Sequence, residues 1–230
     1  MRENRETVMS IRNNLQEVLS TLPEGVRLVA VSKFHPVEAL QEAYDAGQRI
    51  FGESKVQELS QKEAVMPKDV EWHFIGHLQT NKVKYIAPYV TLIHGVDSFR
   101  LLQEIDRQGK RVGRVIPCLL QMHIAQEDTK FGFAFDECRE MLANCEWKEL
   151  THVALVGLMG MASNTDDEEL VKTEFARLHQ FFIEVKHDFF IEDEDFKELS
   201  MGMSDDYPLA VAEGSTLVRV GSRIFGIRNY

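Results

Sequence analysis

Short apolar runs recur along this chain and alternate with helix-like segments, and that alternation constrains its fold more than any other feature. The runs at residues 28–32, 50–51, 72–75, 92–94, 115–121, 152–157, 198–200 and 217–220 read as strands. Helix-like segments open near Val37, Lys55, Thr80, Ser98, Phe135, Asp166 and Asp205. Apolar runs without polar alternation suit strands buried on both faces, which belong to parallel sheets covered by helices. About eight such units make an α/β fold of the (β/α)8 TIM-barrel type, and 230 residues suffice for one. An open, doubly wound sheet is the other arrangement the alternation permits. Residues 3–20 read as an extra N-terminal amphipathic helix, with Val8, Ile11, Leu15, Val18 and Leu19 on one stripe and Pro23-Glu24-Gly25 closing it. No linker or internal repeat interrupts residues 1–230, so a single domain is expected.

Charge and cysteine usage narrow the function. Lysine and arginine number 26 against 37 acidic residues, a formal net charge of -11, which argues against a nucleic-acid partner. Any anion site must therefore be local. No apolar stretch approaches the roughly 20 residues of a membrane span, and the charged residues 1–6 lack the apolar core of a signal peptide. Cys118, Cys138 and Cys145 are an odd set without C-x-x-C spacing, which suits reduced thiols in the cytoplasm. Cys118 falls in a strand and is expected in the core.

The first run, Leu28-Val29-Ala30-Val31-Ser32, ends on Lys33. The carboxyl end of a buried parallel strand is where barrel enzymes carry their sites. Partial dehydration there disfavours the ammonium, and the neutral amine is a nucleophile toward aldehydes. On the residues alone, Lys33 is either such a nucleophile or a charge that has reached solvent. Near the other end of the chain stand Leu199-Ser200-Met201-Gly202-Met203-Ser204 and Gly214-Ser215-Thr216-Leu217-Val218-Arg219-Val220-Gly221-Ser222. In a barrel these end the seventh and eighth strands, whose loops often hold phosphate. Gly202 and Gly221 allow close backbone approach to an anion, or simply turn strand into helix, and Ser200, Ser204 and Ser222 carry hydroxyls. Arg219 alternates with Val218 and Val220, so it points inward, to an ion pair or to a ring nitrogen of a cofactor.

Other polar residues collect after strands. His73 and His77 are four apart, but His73-Phe74-Ile75 reads as strand and Gly76 breaks the element, so helical metal-pair spacing does not apply and no metal is expected. Gln79, Asn81 and Lys82 come next, and either approach the barrel mouth or start a helix. Glu53, His94, Asp97, Lys130 and residues 159–163 share the strand-end position that a barrel site requires.

The runs Val29-Ala30-Val31-Ser32-Lys33 and Phe51-Gly52-Glu53, the stretch 73–82, and residues 199–204 and 214–226 together resemble the YggS/PROSC family of pyridoxal 5'-phosphate-binding homeostasis proteins. The resemblance implies a fold-type III barrel similar to the N-terminal domain of alanine racemase, with Lys33 as the internal aldimine lysine. It implies phosphate contacts from Ser200, Gly221 and Ser222, the backbone of Met201 and Gly202 nearby, and Arg219 facing the pyridine nitrogen. An arginine there keeps that nitrogen unprotonated and weakens the cofactor as an electron sink. Where the family reads Gly-Glu-Asn, this chain has Gly52-Glu53-Ser54-Lys55.

Racemisation needs an acid/base group on each face of a planar carbanion. In the racemases that this barrel resembles, a tyrosine from a separate β-domain serves the face opposite the lysine. The barrel takes up this chain, and Tyr44, Tyr85, Tyr89, Tyr207 and Tyr230 all fall away from strand ends. The expectation is a cytoplasmic, monomeric protein that buffers and delivers pyridoxal 5'-phosphate (PLP), with little or no turnover and with PLP-dependent apoenzymes as recipients. The alternatives are a PLP-dependent racemase or related lyase, and a cofactor-free aldolase using Lys33 on a sugar phosphate.

Overall fold

The structure, a computed structural model, describes residues 10–126 and 131–226. Its strands are β1 (Arg27–Val31), β2 (Ile50–Glu53), β3 (Glu71–Phe74), β4 (Leu92–Val96), β5 (Ile116–Met122), β6 (Val153–Gly160), β7 (Glu198–Ser200) and β8 (Leu217–Val220). Each pairs in parallel with its chain neighbour, and β8 returns to β1 to close the barrel. The open sheet is thereby excluded and the (β/α)8 reading holds. β7 and β8 match their sequence runs. β2 and β6 extend beyond theirs, because pairing continues through Gly52, Glu53 and Gly160, residues that end an apolar run on paper.

Helices α1 (Ile11–Ser20), α2 (Val37–Asp45), α3 (Val56–Val65), α4 (Val83–Ile86), α5 (Phe99–Val112), α6 (Phe135–Ala143), α7 (Glu168–Phe189), α8 (Tyr207–Ala212) and α9 (Ser222–Phe225) surround the strands. Ser98 starts α5 by accepting from the Leu101 amide at 3.3 Å, and Asp167 starts α7 by accepting from Glu169 and Leu170. Each such cap contributes on the order of 1 kcal/mol by satisfying an end amide. After β3 the expected helix is split: Thr80–Lys82 is a 3-10 turn and α4 is a single turn. Of the expected N-terminal helix, α1 covers the described part, and residues 3–9 lie outside the described residues. So do Lys130 and Tyr230.

Alternation along each strand sorts the core into two shells. Val29, Leu92, Leu119, Met159 and Leu217 fill the barrel lumen, with Ile50, Ile75, Val156 and Met161 packed against them. Leu28, Ala30, Phe51, Trp72, Phe74, Ile93 and Val218 face outward under the helices. Both faces are dry, which is why the sequence shows unbroken apolar runs. The three cysteines are free, and Cys118 is buried in the outer shell as expected. Among the described residues no helix is long and apolar enough to cross a membrane. α1 buries Leu15 and Val18 and lies along α9, where Asn14 Nδ2 donates to the Ile224 carbonyl at 3.0 Å.

Candidate functional site

The carboxyl ends of β1, β7 and β8 lie side by side. Ala30 is in register with Val220, so Gly221 stands opposite Val31, two residues before Lys33. A Cβ on Gly221 would come within 3.0 Å of the Val31 carbonyl, so the β8 turn presses against the β1 end as bare backbone. Gly202, at φ +95°, accepts from the Arg219 amide at 2.9 Å, and a Cβ there would sit 2.6 Å from that of Ala210. Ser204 sews the two turns together. Its hydroxyl oxygen accepts from the Gly221 amide at 3.1 Å, and its carbonyl accepts from Arg223 Nε at 2.6 Å. The amides of Ile224 and Phe225 both close on the Gly221 carbonyl, which leaves those of Ser222 and Arg223 without an intrahelical acceptor. The half-buried Lys33 lies across the seam from this backbone cradle.

Beneath the cradle runs a buried polar chain. Arg219, 3% exposed, donates to Ser200 Oγ at 2.5 Å and to the Gly160 carbonyl at 3.0 Å. Ser200 Oγ lies 2.9 Å from His94 Nδ1, and His94 Nε2 lies 2.9 Å from His73 Nδ1. A guanidinium has donors only, so Ser200 accepts from Arg219. The Ser200–His94 and His94–His73 contacts continue the chain, each carried by one proton whose side is set by the histidine tautomer. Burial depresses His73 to about 3, with Arg27 adding to the effect. Burial also holds His94 well below the usual imidazole range, reinforced by His73 and Arg219. Both rings are neutral at pH 7. Arg219 is lowered by burial to about 10, with Asp206 opposing, and remains a cation.

The structure gathers Lys33, Gly202, Arg219, Gly221 and Ser222 around one sector of the mouth. The hydroxyl of Ser200, which the resemblance assigns to the phosphate, lies between Arg219 and His94. Met201 turns its side chain outward into the helix-covered shell, and its amide is taken by the Leu217 carbonyl at 3.2 Å, so it shapes the turn without offering a donor. Ser204 stands on the cradle, although the resemblance did not single it out. Its signal in the sequence was its place beside Gly202 in the same Gly/Ser turn. His73 faces the lumen, whereas His77 pairs with Asp97 at 3.0 Å on the outer rim. Ser54 and Lys55 lead into α3, and the Lys55 ammonium lies 4.7 Å over the ring of Phe34, the residue after Lys33. Glu53 is fully buried behind the β1 turn.

Known proteins with this arrangement are similar along nearly the whole chain. The family model for the alanine racemase N-terminal domain matches residues 8–229. The pyridoxal phosphate homeostasis protein of Pasteurella multocida is 36% identical over 231 residues, covering 98% of this chain and 97% of its own. That of Aquifex aeolicus is 37% identical over 205 residues, 89% and 88% of the two chains. The solved structure of PipY from Synechococcus elongatus with PLP bound superposes with a TM-score of 0.85 at 38% identity, over 94% of this chain and all of that one. The cradle, the lysine beside it and the extent of these matches agree: the chain belongs to the alanine racemase N-terminal domain family and, within it, to the pyridoxal phosphate homeostasis proteins.

Proposed function

We propose that this protein binds PLP covalently and reversibly through Lys33 and keeps it for other proteins, with little or no catalytic turnover. In this reading it is a single-domain cytoplasmic monomer, and PLP-dependent apoenzymes receive the cofactor. The observation that carries the reading is the meeting of the Lys33 turn with the glycine-lined cradle across the β8–β1 seam, directly above Arg219. The site fits the cofactor in two respects. Gly202 and Gly221 let the two turns pack closely against Ala210 and Val31, which leaves the end amides of Ser222 and Arg223 to suit a phosphate together with the neighbouring Ser204 and Ser222 hydroxyls. Arg219 is a buried cation whose hydrogen bonds go to neutral acceptors, with no ion pair among the described residues, which suits a neutral ring nitrogen as a further acceptor.

When bound, the cofactor supplies an aldehyde that condenses reversibly with an amine and a ring that withdraws electrons. The chain's own residues restrict that chemistry. Lys33 provides the amine. Arg219 remains protonated and donates, so it does not confer a positive charge on the ring by giving up a proton. Ser200 holds the guanidinium from below. The hydroxyls of Tyr44, Tyr89 and Tyr207 are engaged with Asp69, Ser60 and Thr21, which supports a site without a tyrosine acid opposite the lysine.

Purified protein mixed with PLP should develop a visible absorbance band that borohydride fixes onto the peptide containing Lys33, and Lys33→Ala should abolish it. Incubation with L-amino acids in deuterated water separates a carrier from a racemase. Inversion with α-proton exchange at ordinary enzyme rates, on the order of 1 to 1,000 per second, would refute the carrier reading.

A further inference from the structure

Lys62, on α3, is 5% exposed and uses its three ammonium protons on three oxygens. It donates to Glu53 Oε1 at 2.7 Å, to Glu58 Oε1 at 2.8 Å and to the carbonyl of Ser32 at 2.8 Å. Two of these partners extend the grip. The Ser32 hydroxyl donates to the same Glu53 oxygen at 2.7 Å, and Glu58 Oε1 accepts from the Phe34 amide at 2.6 Å. The residue before Lys33 and the residue after it are thus both tied to one buried ammonium. The His35 amide closes the turn onto the Ser32 carbonyl at 3.1 Å.

Two features of this cluster cost stability. Phe34 has φ +68°, a left-handed conformation that a side chain of its kind disfavours. Glu53 Oε2 is buried with no hydrogen-bond partner among the described residues. An ion pair kept for stability alone requires neither. Both features meet at the peptides that flank Lys33, and local backbone strain of this sort persists where surrounding structure over-determines a functional geometry.

We propose that Lys62, acting through Glu53 and Glu58, is a positioning residue that fixes the peptide carrying Lys33 and so presents its amine to the β7–β8 cradle. The inference rests on the reading of Lys33 as the cofactor-binding amine. With Ser32 and Phe34 both anchored, the Lys33 Cα is set and the approach to an aldehyde is left to the side chain, which is how preorganised sites shorten the path to reaction.

The test combines two variants with two readouts. Lys62→Met removes the hub, and Glu58→Ala removes only the arm that holds Phe34, from a side chain that is 20% exposed. Amide hydrogen exchange in the cofactor-free protein reports on the turn, and the rate of appearance of the visible band on mixing with PLP reports on capture. The expected result is exchange at the Phe34 and His35 amides at least about tenfold faster, with the β8 amides unchanged, and capture about tenfold slower. If Lys62→Met fails to fold, Glu58→Ala decides. Folded variants with unchanged exchange at Phe34 and His35 and unchanged capture overturn the proposal. So does a uniform loss of protection across the barrel, which marks a merely structural role. Failure of the wild-type protein to take up PLP refutes the cofactor reading instead, and local exchange alone then decides whether Lys62 anchors the turn.

Discussion

Acidification should weaken this protein through the two imidazoles in the barrel lumen. His73 is held at about 3 in the folded state by burial and Arg27, and His94 is also held well below the usual imidazole range. In the unfolded chain each titrates near the ordinary value of about 6.5. The folded values are depressed, so the unfolded state binds more protons, and the stability present above pH of about 6.5 is lost as pH falls toward 3. Between pH of about 7.5 and 5.5, His73 costs ~1.3 kcal/mol, and His94 acts in the same direction. That is a sizeable part of the ~5–15 kcal/mol that holds a typical domain together. His73→Phe removes the His73 contribution together with that ring's bond to His94. Urea unfolding of both proteins at the two pH values measures it. The variant should lose stability with acid by ~1.3 kcal/mol less than the wild type. A stability difference between variant and wild type that is the same at both pH values would refute the neutral, buried state of His73.

Two further substitutions probe the neighbouring site. Ser200→Ala leaves His94 Nδ1 without its partner and Arg219 without one acceptor, and should destabilise the cofactor-free protein by about 1–3 kcal/mol, measured by urea unfolding. Unchanged stability with a loss confined to PLP affinity would instead put Ser200 on the phosphate. Gly202→Ala forces a side chain into φ +95° and to within 2.6 Å of the Ala210 Cβ, and should cost about 2–4 kcal/mol in the same assay.

The barrel was legible because its strands are dry on both faces and therefore apolar throughout. The turns around Gly202 and Gly221 were legible because glycine and serine follow an apolar run at both places, a pattern that by itself serves a plain strand-to-helix turn as well as an anion. The polar chain under the cradle was not. His73, His94, Ser200 and Arg219 lie on four strands, and nothing local connects residues 19 to 106 positions apart. A signal existed in the alternation: His94 comes two after Leu92, and Arg219 two after Leu217, so each continues a lumen-facing row upward. Lys62 was hidden for a different reason. Glu58 and Lys62 are four apart, the spacing of an ordinary surface pair on a helix, and only tertiary packing against Glu53 reveals a buried hub.

The bond from Asn14 to the Ile224 carbonyl bridges 210 positions, and the β1–β8 seam joins strands almost as far apart in the chain. Long-range closures of this kind carry an entropic cost that local turns do not, and they come late in folding. During synthesis, Lys33 emerges early, and the turn after β8 that stands beside it emerges only with the polypeptide beyond residue 220. With Lys33 as the proposed cofactor-binding amine, nascent chains display that amine before any cradle exists to grip a ligand's anionic tail.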